Sequence, residues 1–125
     1  MPKITRFFND ISITTSGIEI LDILSGIKNI HNGIIEQIII QRKSGSATLM
    51  NVEIRYEAGY SGREKLIYLF EDAELPTFVD SDIHAPFSLS SRKENDGDIH
   101  LYILPDANCT VSIRLDINLE DKLGI

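Results

Sequence analysis

The sequence predicts an all-β fold: an antiparallel β-sandwich, jelly-roll-like, with about eight or nine short strands, formed by residues 1–125 as a single domain. Three observations carry this prediction. The apolar residues are weighted to isoleucine, with 21 against only 5 alanines; β-branched side chains suit a pleated sheet, whereas alanine favours a helix. Several runs alternate apolar and polar residues with period two, as strands with one buried and one wet face do. Turn-forming glycine, asparagine, aspartate and proline punctuate those runs at close spacing. At 125 residues there is room for one core and no second one.

In chain order, Lys3 to Phe8 and Ile11 to Thr15 read as two strands. Ile18 to Leu24, ending at Ser25-Gly26, reads as a third. The same letters offer a helix, because Ser16-Gly17-Ile18-Glu19 fits a capping box and Leu21, Leu24 and Ile27 are spaced along one helical face. The strand is favoured, and residues 16–30 stay open between the two. Ile34 to Arg42 departs from simple alternation. Ile35 and Ile39 share one face, while Ile34, Ile38 and Ile40 lie on the other with Glu36. A strand apolar on both faces is covered on both sides. Ile34, Ile38 and Ile40 are therefore the candidate oligomer or docking surface, the alternative cover being a loop folded over the sheet.

Ser44-Gly45-Ser46 reads as a hairpin turn into Met50 to Tyr56, where Val52, Ile54 and Tyr56 face one way and Asn51, Glu53 and Arg55 the other. Gly59-Tyr60-Ser61-Gly62 turns the chain into Glu64 to Phe70. Pro86 to Ser90 suits an edge strand, since proline cannot donate to a ladder. After Asn95-Asp96-Gly97-Asp98, a strong turn signal, the clearest pattern follows. Ile99, Leu101 and Ile103 alternate inward. Then Pro105-Asp106-Ala107-Asn108 turns the chain, and Val111, Ile113, Leu115, Ile117 and Leu119 alternate with Ser112, Arg114, Asp116 and Asn118. These two runs are expected to pair as an antiparallel hairpin.

Charge excludes one class of function. The formal net charge is −7, and no basic residue lies between Leu66 and Ser91, a stretch that holds Glu71, Asp72, Glu74, Asp80 and Asp82. Phosphate contacts demand a basic face, so direct nucleic-acid binding is not expected. No apolar run approaches a membrane span, and no secretion leader follows Met-Pro-Lys-Ile-Thr-Arg. The single Cys109 forms no internal disulfide.

Catalytic and metal motifs are missing. His31, His84 and His100 are scattered without metal-ligand spacing, and Cys109 has no neighbouring base. No Gly-x-Ser-x-Gly elbow or phosphate-binding Gly-rich loop is present. Glu94, Asn95, Asp96 and Asp98, like Asp80-Ser81-Asp82, could offer oxygens to calcium, but the first cluster also suits a tight turn and neither matches the twelve-residue calcium loop. No catalytic residue, metal or cofactor is expected. Among the tyrosines, Tyr60 in its Gly-flanked loop is the candidate ligand contact, with Tyr56, Tyr68 and Tyr102 behind it.

Taken in order, these elements form a pattern. Glu19-Ile20-Leu21-Asp22-Ile23-Leu24 closes on Ser25-Gly26. The strand bearing Ile35-Glu36-Gln37-Ile38-Ile39-Ile40 follows, then Lys43-Ser44-Gly45-Ser46-Ala47 and Asn51-Val52-Glu53-Ile54-Arg55, and later Asp96-Gly97-Asp98-Ile99 and the final strand. The pattern resembles the small β-sandwich virion structural proteins of tailed bacteriophages, which decorate capsids or sit in tails, necks and fibres. It covers roughly Ile11 to Leu119 and rests on turns and alternation; the acidic stretch from Glu71 to Asp82 has no counterpart in it. The resemblance implies a non-enzymatic structural protein of the virion, assembled in the host cytoplasm. It further implies a homo-oligomer docked on the capsid or tail, with other virion proteins as partners. The competing readings are a carbohydrate- or receptor-binding module and, behind it, a hydrolase whose carboxylates converge from separate strands.

Overall fold

The computed structural model describes residues 3–21, 23, 32–57, 64–88 and 99–120. Among these, every alternating run is a strand and no helix occurs. The strands are β1 (Lys3–Ile13), β2 (Ile18–Leu21), β3 (Asn32–Gly45), β4 (Leu49–Glu57), β5 (Glu64–Glu74), β6 (Thr77–Asp80), β7 (Ala85–Ser88), β8 (Ile99–Pro105) and β9 (Cys109–Glu120). The first sheet has the order β1-β9-β3-β6, with β7 also pairing β3, and the second has the order β2-β8-β4-β5. All pairings are antiparallel. This interleaved order is that of a jelly roll. Ser16 lies in a turn and residues 18–21 are strand; of residues 22–30, all but Ile23 lie outside the described residues.

Four of the strands are long rather than short. β1, β3, β5 and β9 run for 11, 14, 11 and 12 residues. The two runs predicted at the start are one strand, interrupted only by an irregularity between Phe8 and Ile11. Asp10 takes a positive φ of 55° there and donates its N–H to Ser112 Oγ at 3.5 Å. The edge strand β5 carries the same device. Asp72 has φ 55° and donates to Asn51 Oδ1 at 3.0 Å where the register with β4 shifts. Aspartate tolerates this conformation better than most residues, and a bulge twists an edge away from foreign strands.

The predicted C-terminal hairpin is a correction. β8 and β9 do not pair: β8 lies in the second sheet and β9 in the first. The turn at Pro105–Asn108 is a corner that carries the chain across the sandwich. Ser44-Gly45-Ser46 is likewise no hairpin turn, because β3 and β4 also belong to different sheets. Turn chemistry signals a reversal, but it does not signal whether the chain returns beside itself or beneath itself. β4 and β5 do form a hairpin, with Glu57 opposite Glu64, and β7 is the edge strand that Pro86 indicated.

These corners are tied to one another at one end of the sandwich. Asp106 Oδ1 accepts the Thr48 N–H at 2.9 Å and the Leu49 N–H at 3.3 Å, and Oδ2 accepts the Thr48 hydroxyl at 2.8 Å. The Asp106 N–H returns a bond to the Leu49 carbonyl at 2.9 Å. Asn108 accepts from Thr15 N–H through its side chain and from Ser46 N–H through its carbonyl, both at 3.2 Å. Thr48 carbonyl accepts from Leu75 N–H at 3.0 Å, which adds the β5–β6 corner.

Inside, Ile13, Ile35, Ile38, Ile40, Val52, Ile54, Leu101, Ile103 and the inward residues of β9 make one buried cluster. A bulge in β3 decides which isoleucines belong to it. The β3–β9 register slips between Ile35 and Gln37, so Glu36 is the extra residue and the alternation changes phase. Ile35 faces the core before the slip, and Ile38 and Ile40 face it after. The β5–β6 side is closed by Phe70 against Phe78 at 4.6 Å and by the Tyr68 hydroxyl donating to Asp80 Oδ2 at 2.9 Å. Burial, then the hydrogen bond and charge of Asp80, push the Tyr68 phenol well above its usual range and keep it a neutral donor.

The bulge predicts unequal costs at neighbouring isoleucines. Ile38→Ala should lower unfolding free energy by about 2–5 kcal/mol, and Ile39→Ala by less than about half as much; urea denaturation measures both, and equal losses would contradict the phase change. The corner clamp predicts an acid dependence. Hydrogen bonds from the Thr48 hydroxyl, and then from the Thr48 and Leu49 N–H groups, hold the Asp106 carboxyl below its ordinary value. Its contribution is complete above the unfolded value of about 4 and is lost as pH falls through the lower folded value. Asp106→Asn should therefore be less stable than the wild type at neutral pH, with the difference shrinking as denaturation is repeated at progressively lower pH.

Candidate functional site

With the interior filled, chemistry is left to the outer faces of the two sheets. Each face is built by the polar half of the alternation. On the second sheet, Tyr102 of β8 stands opposite Glu53 of β4, and Glu53 stands opposite Leu69 of β5. The β1–β2 corner rises beside them and makes one wall of an open groove of about 460 Å³, lined by Gly17, Asn51, Glu53, Leu69, Tyr102 and Leu104 among others. Gly17 allows the close wall: its φ is +84°, and a Cβ there would stand 3.1 Å from the Ile103 carbonyl.

Arg55 organises the floor. Its Nη2 donates to Glu53 Oε2 at 2.7 Å, and its guanidinium lies 4.7 Å from the Tyr102 ring centroid. His100, on the outward face as its position predicts, places Nδ1 3.4 Å from the Tyr102 hydroxyl. Glu71 brings a second carboxylate to the same groove. Thus two acids from separate strands do converge, but Glu53 is engaged as the anion of an ion pair. The groove offers Tyr102, Asn51, Glu53 and Glu71 to a polar ligand, with Arg55 beside it holding Glu53 and Tyr102 in place. A nucleophile with its base is not among the lining residues.

The first sheet presents a different face. Across it runs a row of directly opposed residues: Phe7 of β1, Arg114 of β9, Ile39 of β3 and Val79 of β6. Phe7 is 61% and Val79 53% exposed. Beside this row, Thr5 Oγ1 donates to Asp116 Oδ1 at 2.9 Å, and Arg114 Nε donates to the same oxygen at 3.1 Å. Lys3 Nζ stands 3.6 Å from Glu36 Oε1.

Of the residues proposed for an oligomer or docking surface, Ile34 is half-buried on this outer face, between Asn118 and Pro86. Ile38 and Ile40 are fully buried in the core and cannot serve there; the alternation count assigned them outward because it did not include the Glu36 bulge. Tyr60, His31 and the Glu94–Asp98 cluster lie outside the described residues. His84 is exposed. Cys109 is buried at the corner end, and burial pushes its thiol up. Asp80 is engaged by Tyr68 and by the Asp82 N–H at 3.2 Å. Among the described residues, no group of three or more His, Cys, Asp or Glu is placed to hold a metal, and no helix is long and apolar enough to cross a membrane. The sequence reading missed Phe7, Val79 and the Arg55–Glu53 pair; large or paired side chains at the wet positions of alternating strands are the signal that marks them.

No protein-family model matches the chain, and no curated protein matches it in sequence. Among solved structures, a chain of sacbrood virus of honeybee in expansion state I is 11% identical, with a TM-score of 0.51 over 98% of this chain and 82% of that one. A chain of infectious bursal disease virus, Gx strain, is 12% identical with a TM-score of 0.49, covering 98% of this chain but 34% of its own. The Clostridium thermocellum xylanase 10B modules CBM22-1 and GH10 are 8% identical with a TM-score of 0.41, covering 94% and 26%. This chain thus spans about a third and a quarter of the latter two. At these identities the likeness is one of fold alone: the chain has the jelly-roll sandwich that viral capsid proteins have.

Proposed function

We propose that this chain is a non-enzymatic building block of a virus particle, assembling with copies of itself and with other virion proteins. The observation that carries the reading is the complete interleaved strand order, β1-β9-β3-β6 over β2-β8-β4-β5, matched over nearly the whole chain by the sacbrood virus fold. Phe7, Ile39 and Val79, in one row with Arg114 across a sheet face, add to it, because apolar patches rimmed by polar residues mark interaction sites. Attribution to a tailed bacteriophage, in its capsid, neck, tail or fibre, rests on the sequence resemblance. Sedimentation velocity over a concentration series should find reversible association; a strict monomer up to the solubility limit overturns the reading.

A second reading is favoured by the groove on the opposite sheet. Tyr102, Asn51 and the two carboxylates there have the chemistry to bind a hydroxyl-rich ligand, as a carbohydrate- or receptor-binding module would. Screening against a glycan array, with and without a calcium chelator, should then give hits that Tyr102→Ala abolishes. No binding in either condition removes this reading and leaves the first intact.

A further inference from the structure

We propose that the outer face of the β1-β9-β3-β6 sheet is the self-association surface, and that a second copy packs on it about a twofold axis passing over Leu115. This rests on the assembly reading above and names the surface that does the assembling.

The argument begins with charge. Each copy carries −7, so two copies repel unless they meet where the surface is neutral. Most of the candidate ground is unsuitable. β5 carries the exposed Glu71, Asp72 and Glu74 with no lysine or arginine from Leu66 onward. The long edges, β1 and β5, are each bent by a positive-φ aspartate, which opposes strand-to-strand extension. The face of the first sheet is different. Its charges balance, Lys3 against Glu36 and Arg114 against Asp116, and its exposed apolar residues Phe7 and Val79 lie in one row with Ile39.

The same face is complementary to itself. Arg114 and Asp116 point outward on either side of the inward Leu115. Phe7 and Thr5 flank Arg6 in the same register on β1, and Ile39 and Gln37 flank Ile38 on β3. A twofold axis lying in the interface across the strands, above the line Arg6–Leu115–Ile38, superposes each strand on its antiparallel copy. It sets Arg114 against the second copy's Asp116, Phe7 beside the second copy's Thr5, and Ile39 beside the second copy's Gln37. The interface is then isologous, as closed dimers require, and both charges of the Arg114–Asp116 pair gain a second partner of opposite sign. Sheets stacked in this way lie about 10 Å apart, and the four strands span a face of roughly 20 by 20 Å. That footprint is at the small end for protein interfaces, so the dimer should be weak and reversible.

The decisive test is a charge swap read by sedimentation equilibrium. Arg114→Asp and Asp116→Arg, each alone, set like charges face to face and should raise the dissociation constant about tenfold or more. An equimolar mixture of the two variants should restore association to within about threefold of the wild type, as heterodimer only. Because Asp116 also anchors Thr5, Phe7→Lys and Val79→Lys at exposed positions provide an independent pair of variants; each should weaken association at least tenfold, with circular dichroism unchanged. Leu104→Lys, on the other sheet, should leave it unaltered. Wild-type association that is indifferent to all four face variants, or that is lost only with Leu104→Lys, overturns this interface and leaves the assembly reading standing. A wild type that is monomeric throughout overturns both.

Discussion

The fold depends on the ladder between β3 and β9, which runs from Asn32 opposite Glu120 to Gly45 opposite Cys109. These are the longest strands, and every other strand of the first sheet takes its register from one of them. Two glycines let the ladder close. At Gly33 a Cβ would stand 2.5 Å from the Phe87 ring, and at Gly45, with φ +96°, it would stand 2.4 Å from the Asn108 carbonyl. The first admits β7's phenylalanine into the core, and the second lets the strand end against the corner that Asp106 and Asn108 hold. Between them the Glu36 bulge resets the phase. A one-residue slip turns every later side chain to the other face; here the slip sends Ile38 and Ile40 inward, so that both ends of the strand serve the same core.

How much of this was legible follows from the range of each signal. Alternation is local, and it located β4, β8 and β9 with their inward faces correct. It also placed His100 on the outward face beside the inward Leu101, as observed. Hairpin and corner, by contrast, look alike in sequence, since both need the same turn residues at Pro105–Asn108; only the sheet joined by the next strand distinguishes them. The bulge at Glu36 left a trace, a strand apparently apolar on both sides, which was read as an outer surface when it marked a change of phase. The groove was the least legible feature. Tyr102 lies 47 and 49 residues beyond Arg55 and Glu53 in sequence, and their approach is a property of register alone.

Sequence order also hides how the two sheets divide the chemistry. The core between them is apolar, and the polar bridge across it, Tyr68 to Asp80, sits at the β5–β6 side. A raised phenol pKa keeps that bridge a neutral donor to a carboxylate, which costs less in a half-buried position than a second charge would. The outer faces are thus held at a fixed separation by packing and are chemically unlike. One carries balanced ion pairs, with Phe7, Ile39 and Val79 in a row through Arg114; the other holds a groove lined by Tyr102 and Glu53, which Arg55 stacks on and pairs with.

This division makes it economical for an acidic chain to assemble without aggregating. In the proposed dimer, net repulsion keeps copies apart in general and is overcome only where charges cancel, so the neutral face would gain specificity from the acidity of the rest. The bulged aspartates act in the same direction, because an open β1 or β5 edge would offer unlimited extension with no closed symmetry. Asp10 and Asp72 achieve this by one means, a left-handed residue whose N–H is taken by a side chain of the neighbouring strand. Blocking both long edges leaves face-to-face contact, as in the proposed dimer, as the route by which such a sandwich would associate and stop at a defined size.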